Sequence, residues 1–532
     1  MAPDIAVKSV RDFASLLSLL RDDLQWPLPD EPSPEDVTFE WRSGDLRIHD
    51  SQAHRLTGGV VRQIRPLVGN QPFGIFYLEF ADAQVYRTAL RQVVRGLVPN
   101  RRRDPSLQGW RHENLLFICA TKDYEFISFA HFKGDALTKA KLTTFGWERA
   151  SDYIHTLCKF NLPALTWPDG ETDAETWLAS WSKAFDKEPL TKEFFRRFDT
   201  ALNLIKEDLE KFQKLKSAEA YSRAQLLLER LLFLYFLQRR GWLNQNRNFL
   251  ADNFKPHSVR PGEFSYYEDF LEKLFWSLAS PSTADNRLPG IPFLNGGLFD
   301  DDDFVPTVVR KKHNPPLQIR NATFRSIFDK FLEAFHFTVR EDTPLNQEVA
   351  VDPEMLGKVF ESIVLHAEAA DPDANAPDKR KSTGSYYTPR IVVHFICQEV
   401  LLQYLANHLP GDNWAPRLKK IFEIEATEVI EEEELKRLRE LLSPKEGRTL
   451  LNVVKELKCC DPAVGSGAFP VRLMHELVTL RRIAEAAANG YVDPVRKEGN
   501  SWIHKTKEGI VEHCLYGVDI QQQAIEICRL RL

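Results

Sequence analysis

LKCCDPAVGSGAFPVRLMHELVTLRRIAEAA, Leu457 to Ala487, is the stretch whose reading decides the fold. It reads as a strand ending at Asp461, a tight loop containing Gly465 and Gly467, and a long helix that starts near Ala468 or Phe469. Glycines let the backbone turn sharply and approach a ligand closely, and the helix start offers unpaired N–H groups to a carboxylate or phosphate. A second strand, CLYGVDI, ends at Asp519, 58 residues beyond Asp461. An acid there, at the end of the second strand of a doubly wound sheet, is placed to accept hydrogen bonds from a ribose diol. A dinucleotide site fits poorly: Pro470 stands where GxGxxG needs its third glycine, and Asp519 lies much farther on than the roughly 20 residues expected. A Walker-type phosphate loop fails because no GK[ST] follows. Cys459 and Cys460, adjacent in the first strand, read as buried packing residues.

Outward from this unit the chain divides into regions. Residues 1–165 mix helices with strand-like runs, FGIFYLEF (Phe73 to Phe80), NLLFICAT (Asn114 to Thr121) and YEFISFAHF (Tyr124 to Phe132), as a small mixed α/β domain. Arg87, Arg91 and Arg95 share a helical face there, with Arg101, Arg102 and Arg103 beyond; a solvated face and a phosphate-contacting one explain them equally well. Residues 166–365 read as a helical connector whose segment AYSRAQLLLERLLFLYFLQRRGWL is apolar nearly all round, hence buried, with Gly241 as its C-terminal cap. The acidic run Asp300 to Asp303 reads as a solvated loop in preference to a Mg²⁺ site. Residues 366–383, rich in Ala, Asp, Pro and charge, read as a flexible linker. From 384 to 532 a loop leads into an amphipathic helix, a charged helical hairpin between Lys419 and Leu442, and the strand–loop–helix unit.

At 532 residues, with 43% hydrophobic residues, 11 Trp and 35 Phe, the chain is long enough for about three or four domains and too apolar for a disordered protein. A net charge of −6 marks neither a polyanion binder nor a membrane-surface protein. No run reaches the roughly 18 to 20 uncharged apolar residues of a spanning helix, and no signal peptide opens the chain, so the expected location is the cytoplasm. Seven Cys without CxxC spacing argue for a reducing compartment and against structural zinc.

Three motifs carry a family resemblance. DPAVGSGAF resembles the S-adenosylmethionine motif of the amino-DNA methyltransferases, GSYYTP (Gly384 to Pro389) resembles the motif preceding it in the gamma-ordered adenine enzymes, and LYGVDIQQQAIEICRLRL resembles the ribose-binding strand and helix that follow. LLLERLLFLYFLQRRGWL, GIPFLNGGLFD and LGKVFESI resemble the region upstream of the methylase domain in large Type IIG-like restriction-modification and phage-defence methyltransferases. The resemblance covers roughly residues 200–532. It implies an α/β fold: an N-terminal mixed α/β domain, a helical connector and the start of a doubly wound, Rossmann-like methyltransferase domain. It implies S-adenosylmethionine as cofactor, with Asp461, Pro462, Ala463, Gly465, Gly467 and Phe469 around the methionine part. Asp519 would take the ribose hydroxyls, Ile520 would pack near the adenine ring, and Tyr387, Thr388 and Pro389 would close over the methionine end.

The implied activity is site-specific, adenine-specific DNA methylation in a restriction-modification or phage-defence system, with double-stranded DNA and other subunits of such a system as partners. In the family the catalytic roles belong to an [N/D]PP[Y/F] motif downstream of the ribose acid. HNPPLQI (His313 to Ile319) is no substitute: it lies far upstream and ends in Leu317, which cannot stack on a flipped base. The expectation is therefore a chain that ends before the catalytic motif and is inactive alone; the alternative is a non-catalytic DNA-recognition or scaffold subunit with a vestigial methylase fold. A nuclease in the first domain would need an acid and a Glu-x-Lys strand. Asp45 or Asp50 with Glu79 could supply acids, but Ala81 stands in place of the Lys, so residues 1–165 read as a DNA-contacting or degenerate nuclease-like domain.

Overall fold

The computed structural model describes residues 3–97, 114–133, 141–149, 156–168, 174–299, 316–338, 346–352 and 388–532, with 154, 355 and 357, except 31–32, 47, 70, 84, 86, 282–283, 285–286, 295–297, 425, 427–428, 431 and 521. The linker at 366–383, Arg101 to Arg103, the acidic run, His313 to Pro315 and Gly384 to Tyr387 lie outside the described residues. Two compact units emerge, Met1–Phe270 with Leu317–Asp352, and Leu271–Pro316 with Pro353–Leu532. The architecture is α/β, as the sequence led us to expect.

The first unit is built on a seven-stranded mixed sheet in sequential order: β1 (Thr38–Arg42), β2 (Val60–Ile64), β3 (Phe73–Phe80), β4 (Asn114–Thr121), β5 (Phe126–Lys133), β6 (Lys141–Glu148) and β7 (Asn346–Glu348). β3 and β4 pair in parallel and β6 with β7 likewise; the other pairs are antiparallel. Helix α1 (Arg87–Leu97) makes the β3–β4 crossover. The two central strands are buried on both faces, which is why they read as continuous apolar runs. Phe76, Leu78 and Phe117 pack with Leu90 and Val93 of α1 on one side. On the other side Phe73 meets the rings of Trp177 and Trp181, and Tyr77 stacks on Phe13.

The boundary expected at 165 does not separate compact units. β7 comes from within the segment read as a helical connector, and α2 (Glu188–Phe212) and α3 (Ser217–Arg239) belong to the same unit as the sheet. A three-residue strand carries too short a periodic signal to be read from sequence; its partner, not its composition, makes it a strand. α3 is buried nearly all round, Glu229 and Arg230 included, and Gly241 at φ +77 ends it. The side chains of Arg87 and Arg95 lie outside the described residues.

In the second unit β8 (Cys459–Asp461) pairs in parallel with β9 (Leu515–Gly517), Cys460 opposite Tyr516. α4 (Arg390–His408), α5 (Pro444–Glu456), α6 (Ala468–Ala488) and α7 (Asn500–His513) surround the pair, and α8 (Gln522–Arg531) follows β9. Leu401 and Leu405 of α4, Leu450 and Val454 of α5, Leu477, Leu480 and Ile483 of α6 and Ile510 of α7 share one core. α5 lies close on α6 because Gly447 has no Cβ: one built there would meet Ala487 Cβ at 2.8 Å. Helices at Trp414–Phe422 and Glu432–Leu441 form the charged hairpin. Cys460 departs from its expected burial. Alternation sends Cys459 and Leu515 into the core and leaves Cys460 and Tyr516 on the outward face, where both are exposed. Among the described residues no helix is long and apolar enough to cross a membrane.

Candidate functional site

Asp461 closes β8, and its two carboxylate oxygens are used unequally. Oδ1 accepts from Ala463 N at 3.1 Å, turning the chain out of the strand, whereas Oδ2 is buried with no hydrogen-bond partner among the described residues. A buried acceptor left unpaired costs about 1–3 kcal/mol, so this oxygen is a candidate acceptor for a ligand donor. The loop is tied to the second strand by Val464 N donating to Val518 O and Val518 N to Asp461 O, both 2.9 Å.

The two glycines serve different ends. Gly465 has φ +51 and nothing within 4 Å of the place a Cβ would occupy, so it is open toward a ligand. Gly467 has φ +88, and a Cβ there would lie 2.8 Å from Cys528 Sγ on α8; its demand comes from packing within the fold. Gly467 immediately precedes α6, and no side chain caps that helix start. An uncapped helix start can offer its first N–H groups to an anion; here Ala468 and Phe469 carry them, and Pro470 at the third position has none.

Asp519 lies two residues beyond β9, and its Oδ2 accepts from Gly465 N at 2.8 Å. The acid expected to meet a ribose thus also holds the glycine loop; a carboxylate has acceptor sites for more than one donor. Ile520 beside it, the residue expected to pack near an adenine ring, is 91% exposed. Pro462 and Ala463 are exposed, and Phe469 is half-buried with its carbonyl 4.0 Å from Cys397 Sγ of α4. Thr388 and Pro389 directly precede α4, and the Pro389 carbonyl accepts from Val392 N and Val393 N. Tyr387 lies outside the described residues.

Sequence reasoning missed a buried polar cluster joining α4 to α6. Glu476 of α6, its side chain 5% exposed, lies 2.9 Å from His394 Nδ1 and takes Gln398 Nε2 of α4 and Arg472 of α6 as donors. Burial pushes its pKa up, but the His394 hydrogen bond and the Arg472 charge outweigh this and hold it below the usual range. Arg531 Nη1 donates to Ser466 O at 2.7 Å, fixing the loop from α8. Gly357 of the LGKVFESI motif also abuts the loop, since a Cβ there would meet Ser466 Oγ at 2.9 Å. Only that motif hinted at any of these in the sequence. Burial raises the thiols of Cys397 to about 12 and of Cys459 and Cys528 to about 11, so near neutrality none is a thiolate nucleophile.

In the first unit Glu79 Oε2 accepts from the hydroxyls of Tyr77, at 3.1 Å, and Tyr124, at 3.2 Å. Asp45 closes a local turn to Arg42 N, and Asp50 starts a short helix. No trio of His, Cys, Asp or Glu among the described residues is arranged to hold a metal ion. A cavity of about 420 Å³, lined by Ser128, Glu148, Arg239, His336 and Glu348 among others, opens on the sheet face at β5–β7; no motif announced it.

No family model matches the chain. Over 320 residues, 58% of its length, it is 26% identical to a Methanocaldococcus jannaschii protein that bears the name of a type II restriction enzyme and methyltransferase. The match takes in 24% of that relative, so the chain spans about a quarter of its length. The chain is also similar to a solved structure of the Type IIL restriction-modification enzyme MmeI in complex with DNA. That likeness covers 64% of this chain and 35% of the other at 18% identity, with a TM-score of 0.35. Both similarities are to restriction-modification proteins.

Proposed function

We propose that the second unit binds S-adenosylmethionine and serves adenine-specific DNA methylation in a restriction-modification or phage-defence system of the cytoplasm. The observation that carries this reading is the buried Asp461 Oδ2, unpartnered among the described residues, beside a glycine loop that Asp519 holds from the neighbouring strand. The restriction-methyltransferase name of the relative supports it. When bound, the cofactor supplies a methyl group on a positively charged sulfur, ready for transfer to the exocyclic amino group of an adenine turned out of the duplex.

The chain's own residues bind and orient. Asp461 Oδ2 would accept from the amino group of the methionine part, and the α6 start would receive its carboxylate in the space left open at Gly465, whose own N–H is held by Asp519. Asp519 would accept from the ribose hydroxyls, Ile520 would cover the adenine ring, and Tyr387, Thr388 and Pro389 would close the methionine end. Orientation of this kind is what an in-line transfer requires, and no enzyme nucleophile is needed. The first unit, whose Glu79 is occupied by two tyrosine hydroxyls, contacts double-stranded DNA without cutting it.

Isothermal calorimetry with S-adenosylmethionine tests the reading. The wild-type chain should bind, and Asp461→Ala and Asp519→Ala should each weaken binding at least tenfold, about 1.4 kcal/mol. An Asp461→Ala protein that binds as tightly as the parent overturns the assignment.

A further inference from the structure

α4 starts directly after Thr388 and Pro389, so whatever fixes α4 lengthwise on α6 also fixes those two residues relative to the glycine loop. Apolar packing between the helices tolerates sliding, because one aliphatic neighbour replaces another at little loss. A buried carboxylate does not: displaced from the polar groups of a neighbouring helix it loses their interactions in an apolar surrounding and keeps only what its own helix supplies. Glu476 is such a group. His394 and Gln398, four residues apart on one face of α4, both reach it, with His394 Nδ1 at 2.9 Å and Gln398 Nε2 at 3.4 and 3.5 Å from its two oxygens. Arg472, one turn earlier on α6, donates to the same carboxylate. A slip of α4 by one turn, about 5.4 Å, would carry both His394 and Gln398 away from the carboxylate. Buried polar groups are best attested in this role of selecting one register from several.

We infer that Glu476 is a positioning residue which, through His394 and Gln398, locks α4 in register on α6 and so holds Thr388 and Pro389 at the methionine end of the cofactor site. This rests on the cofactor reading above. The adenosine end depends on Asp519 and Ile520, which follow β9 instead of leading into α4, and Asp519 is held by Gly465 N. The lock therefore acts on one end of the ligand only.

Two ligands separate the ends: S-adenosylmethionine, and 5′-methylthioadenosine, which has the same adenosine and sulfur without the amino acid. Calorimetry on the full chain should show Glu476→Leu binding S-adenosylmethionine at least tenfold more weakly, with methylthioadenosine changed less than twofold. Glu476→Gln, which keeps an oxygen for His394, should recover most of the loss. Gln398→Ala, which removes one donor and leaves the α6 side intact, should show the same split at smaller size and serves if Glu476→Leu does not fold. Equal weakening of both ligands, or no change in either, overturns the lock while leaving the cofactor site standing. A wild-type chain that binds neither ligand overturns the cofactor reading and the lock together.

Discussion

Alanine at Gly467 and alanine at Gly465 should have different consequences, although the sequence presents them as equivalent members of one loop. Both glycines have φ in the left-handed region, +88 and +51, where an L-residue is disfavoured by about 1–2 kcal/mol. Lower entropy of the unfolded chain returns about 0.4–1 kcal/mol at either site. At Gly465 nothing else among the described residues is met, so Gly465→Ala should destabilise by about 1.5 kcal/mol or less. At Gly467 the new Cβ would stand 2.8 Å from Cys528 Sγ, 3.1 Å from its Cα and 3.2 Å from its Cβ. Overpacking of that kind adds about 1–3 kcal/mol, so Gly467→Ala should lose about 2–4 kcal/mol in all. Cys528→Ala in the Gly467→Ala background removes the sulfur but leaves the 3.1 and 3.2 Å contacts, and should recover only part of the loss. Urea denaturation gives the totals, and hydrogen exchange of peptides spanning β8, β9 and α8 locates them. Equal losses at the two glycines, or full recovery with Cys528→Ala, would refute the division of roles.

Asp493, fully buried, takes both Arg482 Nε at 2.9 Å and Nη2 at 2.7 Å, so Asp493→Ala should destabilise by about 3–5 kcal/mol in urea titration. Burial alone would raise the Asp493 pKa, but Arg482 and the N–H groups of Ile430 and Val495 bring it below 3.8; its contribution is present above that value and lost as pH falls through the lowered one. Acid titration of Asp493→Asn should therefore show a flatter stability loss below pH 4 than the parent. Glu229 behaves in the opposite sense: burial raises it to about 7 against the Gln225 hydrogen bond and the Arg230 charge, so its penalty is absent below 4.5 and complete above about 7. Glu229→Gln should raise the melting temperature at pH 8 and leave it unchanged at pH 4, the difference amounting to about 3 kcal/mol. Ser443 and Glu446 form a capping box at the start of α5, and Ser443→Ala should lose about 1 kcal/mol in the same urea assay.

The strands at Phe73–Phe80 and Asn114–Thr121 were legible because strands buried on both faces must be apolar throughout, and α3 because a helix apolar all round has nowhere to go but inside. The Asp461 loop was legible because its glycines, its acid and the following helix are contiguous. β7 was not, since three polar residues show no period and become a strand only by pairing with β6. Cys460 was misjudged because alternation says that two adjacent residues face opposite ways but not which way is inward. Glu476 was invisible for a related reason: a glutamate on a helix reads as a solvated position, and its neighbours His394 and Gln398 lie about 80 residues away in the chain.

The sequence by itself determined the chemistry on offer near the loop: two acids, two left-handed glycines, a helix start and their order, all set by residue type and short-range spacing. Only the tertiary structure decided how these are shared out. It tied Asp519 to Gly465, left Asp461 Oδ2 without a partner among the described residues, assigned Gly467 to α8 and Gly465 to open space, and brought Glu476 under α4. Each of these depends on which distant surfaces meet, and hydrogen bonds and close packing act over a few ångströms in space whatever the separation along the chain.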